Sequence, residues 1–182
     1  MEKEEIVNRT PYKLIKFLGK GKSGYSYLAT KDNKSFVVLK KIHHEPCSYY
    51  KFGNKIEAEL NAYKVLINTT LKIPLLIDVD KEKEIIVKEY IEGKTIFELI
   101  KEDQNIEAYI NEMQKISAFL YENNINIDYF PTNFVVKNNH LYYVDYEYNN
   151  YTDEWNFQNW GIKYWSKTNE FLNYLKTQKE LQ

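Results

Sequence analysis

A series of side chains spread over most of this chain has the types needed to move a phosphoryl group. It begins with a glycine-rich turn at Gly19, Gly21 and Gly24. It continues through Lys40 and a glutamate on the next helical segment to Asp128, Asn133 and Asp145. Each supplies a different part of one reaction. A lysine ammonium neutralises phosphate oxygens, and a neighbouring carboxylate holds it in place. An aspartate accepts the proton of an attacking hydroxyl, and hard oxygen ligands hold Mg²⁺ against the phosphates.

The first motif is LGKGKSG, Leu18 to Gly24, a G-x-G-x-x-G pattern. Alone it is equally well a turn rich in glycine for conformational reasons. A dinucleotide fingerprint requires a helix after the glycines, whereas the strand-like YSYLAT follows here. A Walker A loop requires a glycine where Lys16 stands. There remains a glycine hairpin whose backbone, from Gly19 through Lys20, Gly21, Lys22, Ser23 and Gly24, folds over phosphates. Lys40 ends VVLK, 16 residues beyond Gly24. Its partner is Glu59 or Glu57. Glu59 is preferred because it sits among Leu60, Tyr63 and Leu66, nearer the apolar stripe.

The segment NIDYFPTNFVV is the most specific. Asp128 and Asn133 stand five apart, with Pro131 stiffening the turn between them, and Asp145 follows twelve residues later behind LYYV. Turn formation or capping explains either aspartate singly. The three together at this spacing point to a base and a metal pair.

These residues need elements to hold them. YKLIKFLG, YSYLAT and SFVVLKKI read as a β-meander over residues 11–42. Ile56, Leu60, Tyr63 and Ile67 recur at helical spacing from Lys55. Two more strands fit Leu75–Val79 and Ile85–Tyr90. Thr95 caps a short helix through Ile100, and a longer helix runs from Ile106 to Glu122. FVVK and LYYVDYE form a hairpin around Asn138 and Asn139. In the tail, Phe157, Trp160, Gly161, Tyr164 and Trp165 predict one more helix, with Asp153 and Glu154 at its N-terminal end. The fold class is α+β, with a β-rich lobe over residues 11–91 and a helical lobe over 92–182. The two make a single domain across residues 1–182. The lobes meet near residues 89–93, and the cleft between them is the expected ligand site.

Composition narrows the partners. A net charge of −1 with mixed signs lacks the basic footprint of a nucleic-acid binder. The single cysteine, Cys47, excludes an internal disulfide framework. The charged start MEKEEIVNRT has no signal-peptide core, and no apolar run approaches a membrane span. A cytoplasmic, soluble protein with no membrane partner is the expectation.

On these motifs the chain resembles the protein-kinase-like superfamily, in a small bacterial form labelled serine/threonine kinase. LGKGKSGYSYL resembles the glycine-rich loop, VVLK the lysine strand, VKEYIEG the hinge, and NIDYFPTN the catalytic loop H-R-D-x-x-x-x-N. VDYE stands where D-F-G is expected, a form closer to aminoglycoside and choline kinases. The resemblance covers about residues 14–148. It implies a compact kinase-like fold with one main helix in the β-rich lobe and a truncated helical lobe. It further implies that Lys40, steadied by Glu59, binds the α/β-phosphates of ATP. The backbone of Glu89 and Ile91 would pair with adenine between Leu18, Val38 and Val135. Asp128 would be the catalytic base, and Asn133 and Asp145 would hold Mg²⁺.

Departures from the pattern bear on the acceptor. Asn126 and Ile127 replace the histidine and arginine of the catalytic loop, so the cation that would pair with an activation-loop phosphate is missing. Phe130 stands where a protein kinase carries lysine. Glu147 replaces the D-F-G glycine, Ser26 a valine over adenine, and no A-P-E motif follows. The expected acceptor is a protein serine or threonine. The alternatives are a small-molecule hydroxyl, or a non-catalytic nucleotide-binding module acting through a protein partner. The chain ends 37 residues after Asp145, which leaves substrate selection to the aromatic tail or to such a partner. His43, His44 and Cys47 make a weaker metal trio, since adjacent histidines do not easily converge on one ion.

Overall fold

A computed structural model describes residues 3–46 and 53–180. The chain is a mixed α+β protein with a curled antiparallel sheet. It separates into two compact units. The first comprises Met1–Tyr63 and Pro74–Tyr90, the second Lys64–Ile73 and Ile91–Gln182.

The first unit is built on strands β1 (Glu4–Val7), β2 (Thr10–Lys20), β3 (Gly24–Thr30), β4 (Phe36–Ile42), β5 (Leu76–Asp80) and β6 (Ile85–Glu89). All pair antiparallel, in the order β1-β2-β3-β4-β6-β5. Register shifts at Leu14/Lys16 and Phe17/Gly19 in β2, and at Leu76/Asp78 in β5, bend the sheet, because a bulge adds twist where it leaves a residue unpaired. Side chains alternate between the faces. Val7, Tyr12, Ala29, Val37, Leu39, Ile85 and Val87 form one continuous buried cluster. The intervening residues of β4 and β6 face the other way. Strand β1 goes beyond the sequence reading. It is joined to β2 through Asn8 and Arg9, which both take positive φ (44° and 70°), a conformation that arginine seldom signals.

Helix α1 (Lys55–Leu66) carries Ile56, Leu60, Ala62 and Leu66 inward. Ile67 lies beyond its end and is exposed, so the stripe closes on Leu66 instead.

In the second unit, β7 (Lys94–Thr95) leads into α2 (Ile96–Lys101). Thr95 and Glu98 form a reciprocal capping box: the Thr95 hydroxyl accepts the Glu98 amide, and the Glu98 carboxylate accepts the Thr95 amide. Helix α3 (Glu107–Glu122) buries Met113, Ile116, Ser117 and Leu120. Strand β8 (Ile125–Asn126) precedes the loop of Asp128. Then β9 (Phe134–Lys137) and β10 (His140–Tyr143) make a hairpin whose turn residues, Asn138 and Asn139, take φ of 52° and 60°. That is the primed turn a two-residue hairpin needs. β7 pairs with β9, and β11 (Asn149–Asn150) pairs with β8.

The tail departs from expectation. Residues 157–165 are not an α-helix but a series of turns ending in a short 3-10 segment, Gly161–Tyr164. Asn156 diverts the backbone: its side chain accepts the Asn159 amide at 2.7 Å and donates to the Tyr151 hydroxyl at 2.9 Å. Asp153 accordingly caps no helix, and its carboxylate accepts the Tyr151 hydroxyl. The apolar spacing still marks buried residues, since Phe157 and Trp165 are fully enclosed. The tail's α-helix is α4 (Asn169–Glu180), which packs through the buried Phe171. Among the described residues no helix is long and apolar enough to cross a membrane.

Candidate functional site

In the first unit, Lys40 lies within β4, opposite Ser26 of β3 and Ile86 of β6. Its ammonium meets Glu59 Oε1 of α1 at 2.7 Å, with both side chains more than nine-tenths buried. Glu57, the other candidate, faces outward and pairs with Lys81 at 2.6 Å. Helical spacing explains the division. Glu59 is adjacent to Leu60 on the inward side, whereas Glu57 sits two residues earlier, about 200° around the helix on the more exposed side. A buried pair of this kind gains Coulomb energy against a large desolvation penalty, so its presence fixes geometry more than it adds stability.

The glycine turn is bound to the same pair. The Ser23 hydroxyl donates to Glu59 Oε1 at 2.7 Å, the oxygen that Lys40 also contacts. Glu59 Oε2 is buried without a hydrogen-bond partner among the described residues. Two further links hold the turn. Buried Lys55, the first residue of α1, donates to the carbonyls of Lys22 and His43. The His43 ring lies 3.0 Å from Gly21 O. The sequence contains no spacing signal that would have singled out Lys55.

The three glycines of the motif differ. A Cβ on Gly24 would lie 2.7 Å from Lys41 O, so glycine is required there for β3 to approach β4. Gly19 and Gly21 face open space or ordinary contact, and none of the three takes a positive φ. The Gly21 amide donates to Gly24 O at 2.9 Å inside the hairpin. Among the residues expected around the base, Leu18 is exposed on β2 and Val38 half-buried on β4. The amide of Glu89 donates to Leu75 O, and its carboxylate accepts the Leu75 amide.

The second unit holds the other group. Asp128 Oδ1 accepts the Phe130 amide at 3.0 Å, an Asx turn that sets the aspartate at the head of the loop. Pro131 opens a 3-10 turn through Asn133, whose amide donates to Phe130 O. The Asn133 side-chain nitrogen donates to Asp128 O at 3.3 Å, which leaves its oxygen as the end of the amide suited to a hard cation. Asp145 follows β10 and accepts the Tyr146 amide at 2.9 Å. Asn133 and Asp145 are tied through the chain, because the Val144 amide donates to Asn133 O. Among the described residues no three His, Cys, Asp or Glu side chains gather as a metal group.

Tyr143 underlies these residues, and its role was not apparent in the sequence. It is fully buried, and its hydroxyl donates to Glu147 O at 3.1 Å while taking a hydrogen bond from the Asp128 backbone. Burial raises its pKa well above the usual tyrosine value, and the negative charges of Asp145, Asp128 and Glu147 add to the shift. These three carboxylates are therefore close enough to one buried phenol to act on it together.

The tail aromatics support the loop from beneath. The Trp165 indole donates to Tyr129 O at 2.8 Å. Its ring lies 5.2 Å from both Phe134 and Phe157. A Cβ on Gly161 would stand 2.6 Å from Tyr129 Cβ, so that glycine admits the tail against the segment that follows Asp128. Phe130 packs on Tyr164 and Tyr174. Val135 is buried in β9, opposite Thr95, and Ile91 is buried at the start of this unit. Of the histidine–cysteine trio, Cys47 lies outside the described residues. His44 bonds Glu84 rather than sharing a centre with His43.

No protein-family model matches the chain, and no curated protein sequence matches it.

Proposed function

We propose that the protein is an ATP- and Mg²⁺-dependent phosphotransferase with a compact protein-kinase-like fold, acting on a hydroxyl, with a protein serine or threonine as the first candidate acceptor. The observation that carries this reading is the Lys40–Glu59 pair at 2.7 Å, a buried lysine oriented by a helix carboxylate. A structural lysine on a solvated strand needs no such partner. One that must meet phosphate oxygens does, because its ammonium has to be held in one place before the ligand arrives.

The proposed division of labour follows from the local geometry. Lys40 neutralises phosphate charge, and Glu59 and Ser23 fix its position. Asp128, held by the Phe130 amide, takes the proton of the attacking hydroxyl. Asn133 Oδ1 and the Asp145 carboxylate suit Mg²⁺, whose bound charge would offset that of the phosphate oxygens. Phe130 in place of a lysine gives an apolar surface beside the base, which also fits a small-molecule hydroxyl acceptor.

Incubation with γ-labelled ATP and Mg²⁺ tests the reading. Label should appear on the protein itself or on an added acceptor, and Asp128→Asn should lower the rate about 10²–10⁴-fold. Thermal stabilisation by nucleotide without turnover across a broad acceptor panel would point instead to a binding module.

A further inference from the structure

Ser23 carries the only hydroxyl of the glycine turn. Its backbone is held on both sides. The His43 amide donates to Ser23 O at 3.0 Å, Lys55 donates to the carbonyl before it, and the Gly21 amide reaches across to Gly24 O. A serine that merely shapes a turn spends its hydroxyl on a nearby backbone group. This one reaches across 36 residues of sequence to a buried carboxylate, donating to Glu59 Oε1 at 2.7 Å. Lys40 Nζ meets the same oxygen at 2.7 Å, so a phosphate on that ammonium comes within reach of the Ser23 hydroxyl. Gly21 and Lys22 are exposed and Ser23 is half-buried, which leaves the outer side of the turn open to solvent. A hydroxyl donating to a carboxylate, with a cation on the same oxygen, has the parts of an activated nucleophile: a base, and a charge for the group attacked.

We infer that Ser23 is itself a phosphoryl acceptor, taking the γ-phosphate of ATP bound at Lys40 and so switching the site off. The inference rests on the phosphotransfer reading and names a regulation of that site. Ser23 Oγ attacks the γ-phosphorus and an Oγ–P bond forms. The bond from that phosphorus to the bridging β-phosphate oxygen breaks, and ADP leaves. The hydroxyl proton passes to the Glu59 carboxylate, whose Oε2 is buried without a hydrogen-bond partner among the described residues, and then to solvent. The phosphoserine brings close to two negative charges against Glu59, and the Lys40 ammonium is drawn from the carboxylate to the phosphate. A second ATP then meets a lysine already engaged by an anion.

Incubation of the full chain with ATP and Mg²⁺, followed by mass-spectrometric mapping of phosphorylated residues, is the direct test. Phosphate should appear on Ser23, at a fractional rate that does not change with protein concentration, because donor and acceptor belong to one molecule. The phosphorylated chain, separated from the unmodified one, should bind ATP at least about tenfold more weakly, the loss expected for one hydrogen bond between charged groups. Phosphate on an added acceptor or on other residues, with Ser23 untouched, overturns the inference while leaving the phosphotransfer reading intact. A fractional rate that rises in proportion to protein concentration does the same, since the donor then lies on another molecule. Equal ATP affinity in the two forms overturns the switch. Absence of any label, with no thermal stabilisation of a natively folded chain by ATP, removes both the inference and the reading beneath it.

Discussion

The two units hold their chemistry by different means. In the first, the central lysine is positioned by charge: Lys40 meets Glu59, Ser23 shares the same carboxylate oxygen, and Lys55 clasps the turn through two carbonyls. In the second, Asp128 and Asp145 accept backbone amides and the Asn133 side chain donates to a backbone carbonyl, over an aromatic floor of Tyr129, Phe134, Tyr143, Phe157 and Trp165. On the proposed reading, the lysine that would meet an anion is thus held by interactions that an anion can rearrange.

Trp165→Ala should break the aromatic side of this contrast most severely. It removes a fully enclosed ring and the indole bond to Tyr129 O, and about 3–5 kcal/mol of stability should go with it, measured by denaturant unfolding. The loss should be nearly independent of salt. Glu59→Gln comes next. Removing one partner of a buried ion pair costs about 3–5 kcal/mol, whereas the double change Lys40→Met with Glu59→Met should recover much of that. If the double variant is as unstable as Glu59→Gln, charge is not what organises the first unit.

Alkali should also separate the units. Burial is the main cause that raises the pKa of Tyr143 and Tyr129 above the usual value. A tyrosine in the unfolded chain ionises near pH 10, so the folded state binds more protons above that pH. The stability these phenols contribute is complete below about pH 10 and is lost above it, by about 1.4 kcal/mol per group for each pH unit until the folded value is reached. Tyr12 in the first unit shifts in the same direction, so the expected result is an order of unfolding, with the second unit first. Tyr143→Phe should flatten the alkaline limb. The smallest effect is expected from Ser23→Ala, about 1 kcal/mol for one hydrogen bond, with ATP affinity falling more than acceptor affinity.

Much of the scaffold was legible because it follows from local rules. The meander of β2, β3 and β4 was marked by its apolar runs and turn residues, the start of α2 by Thr95, and the β9–β10 hairpin by Asn138 and Asn139. The choice of Glu59 over Glu57 could be read from helical phase alone. What failed was the tail, where helical spacing of aromatics arose from packing onto Tyr129 and Phe134 while Asn156 held the backbone in turns. The long-range links could not be read at all. Nothing in the order of residues says that Lys55 will reach the carbonyls of Lys22 and His43, that Tyr143 will lie beneath Asp128, or that Lys88 will share a face with Lys40. Those depend on register and on which side of a strand is covered.

The placement of tryptophan has an optical consequence. All three, Trp155, Trp160 and Trp165, fall in the second unit, and the first has none. Tryptophan emission therefore watches one unit while circular dichroism at strand wavelengths weighs the other. Trp165 is sealed under the Asp128 loop and should emit blue and resist iodide, whereas Trp155, half exposed, should be readily quenched. The protein carries its own pair of dyes, one for the floor of the loop and one for its surface.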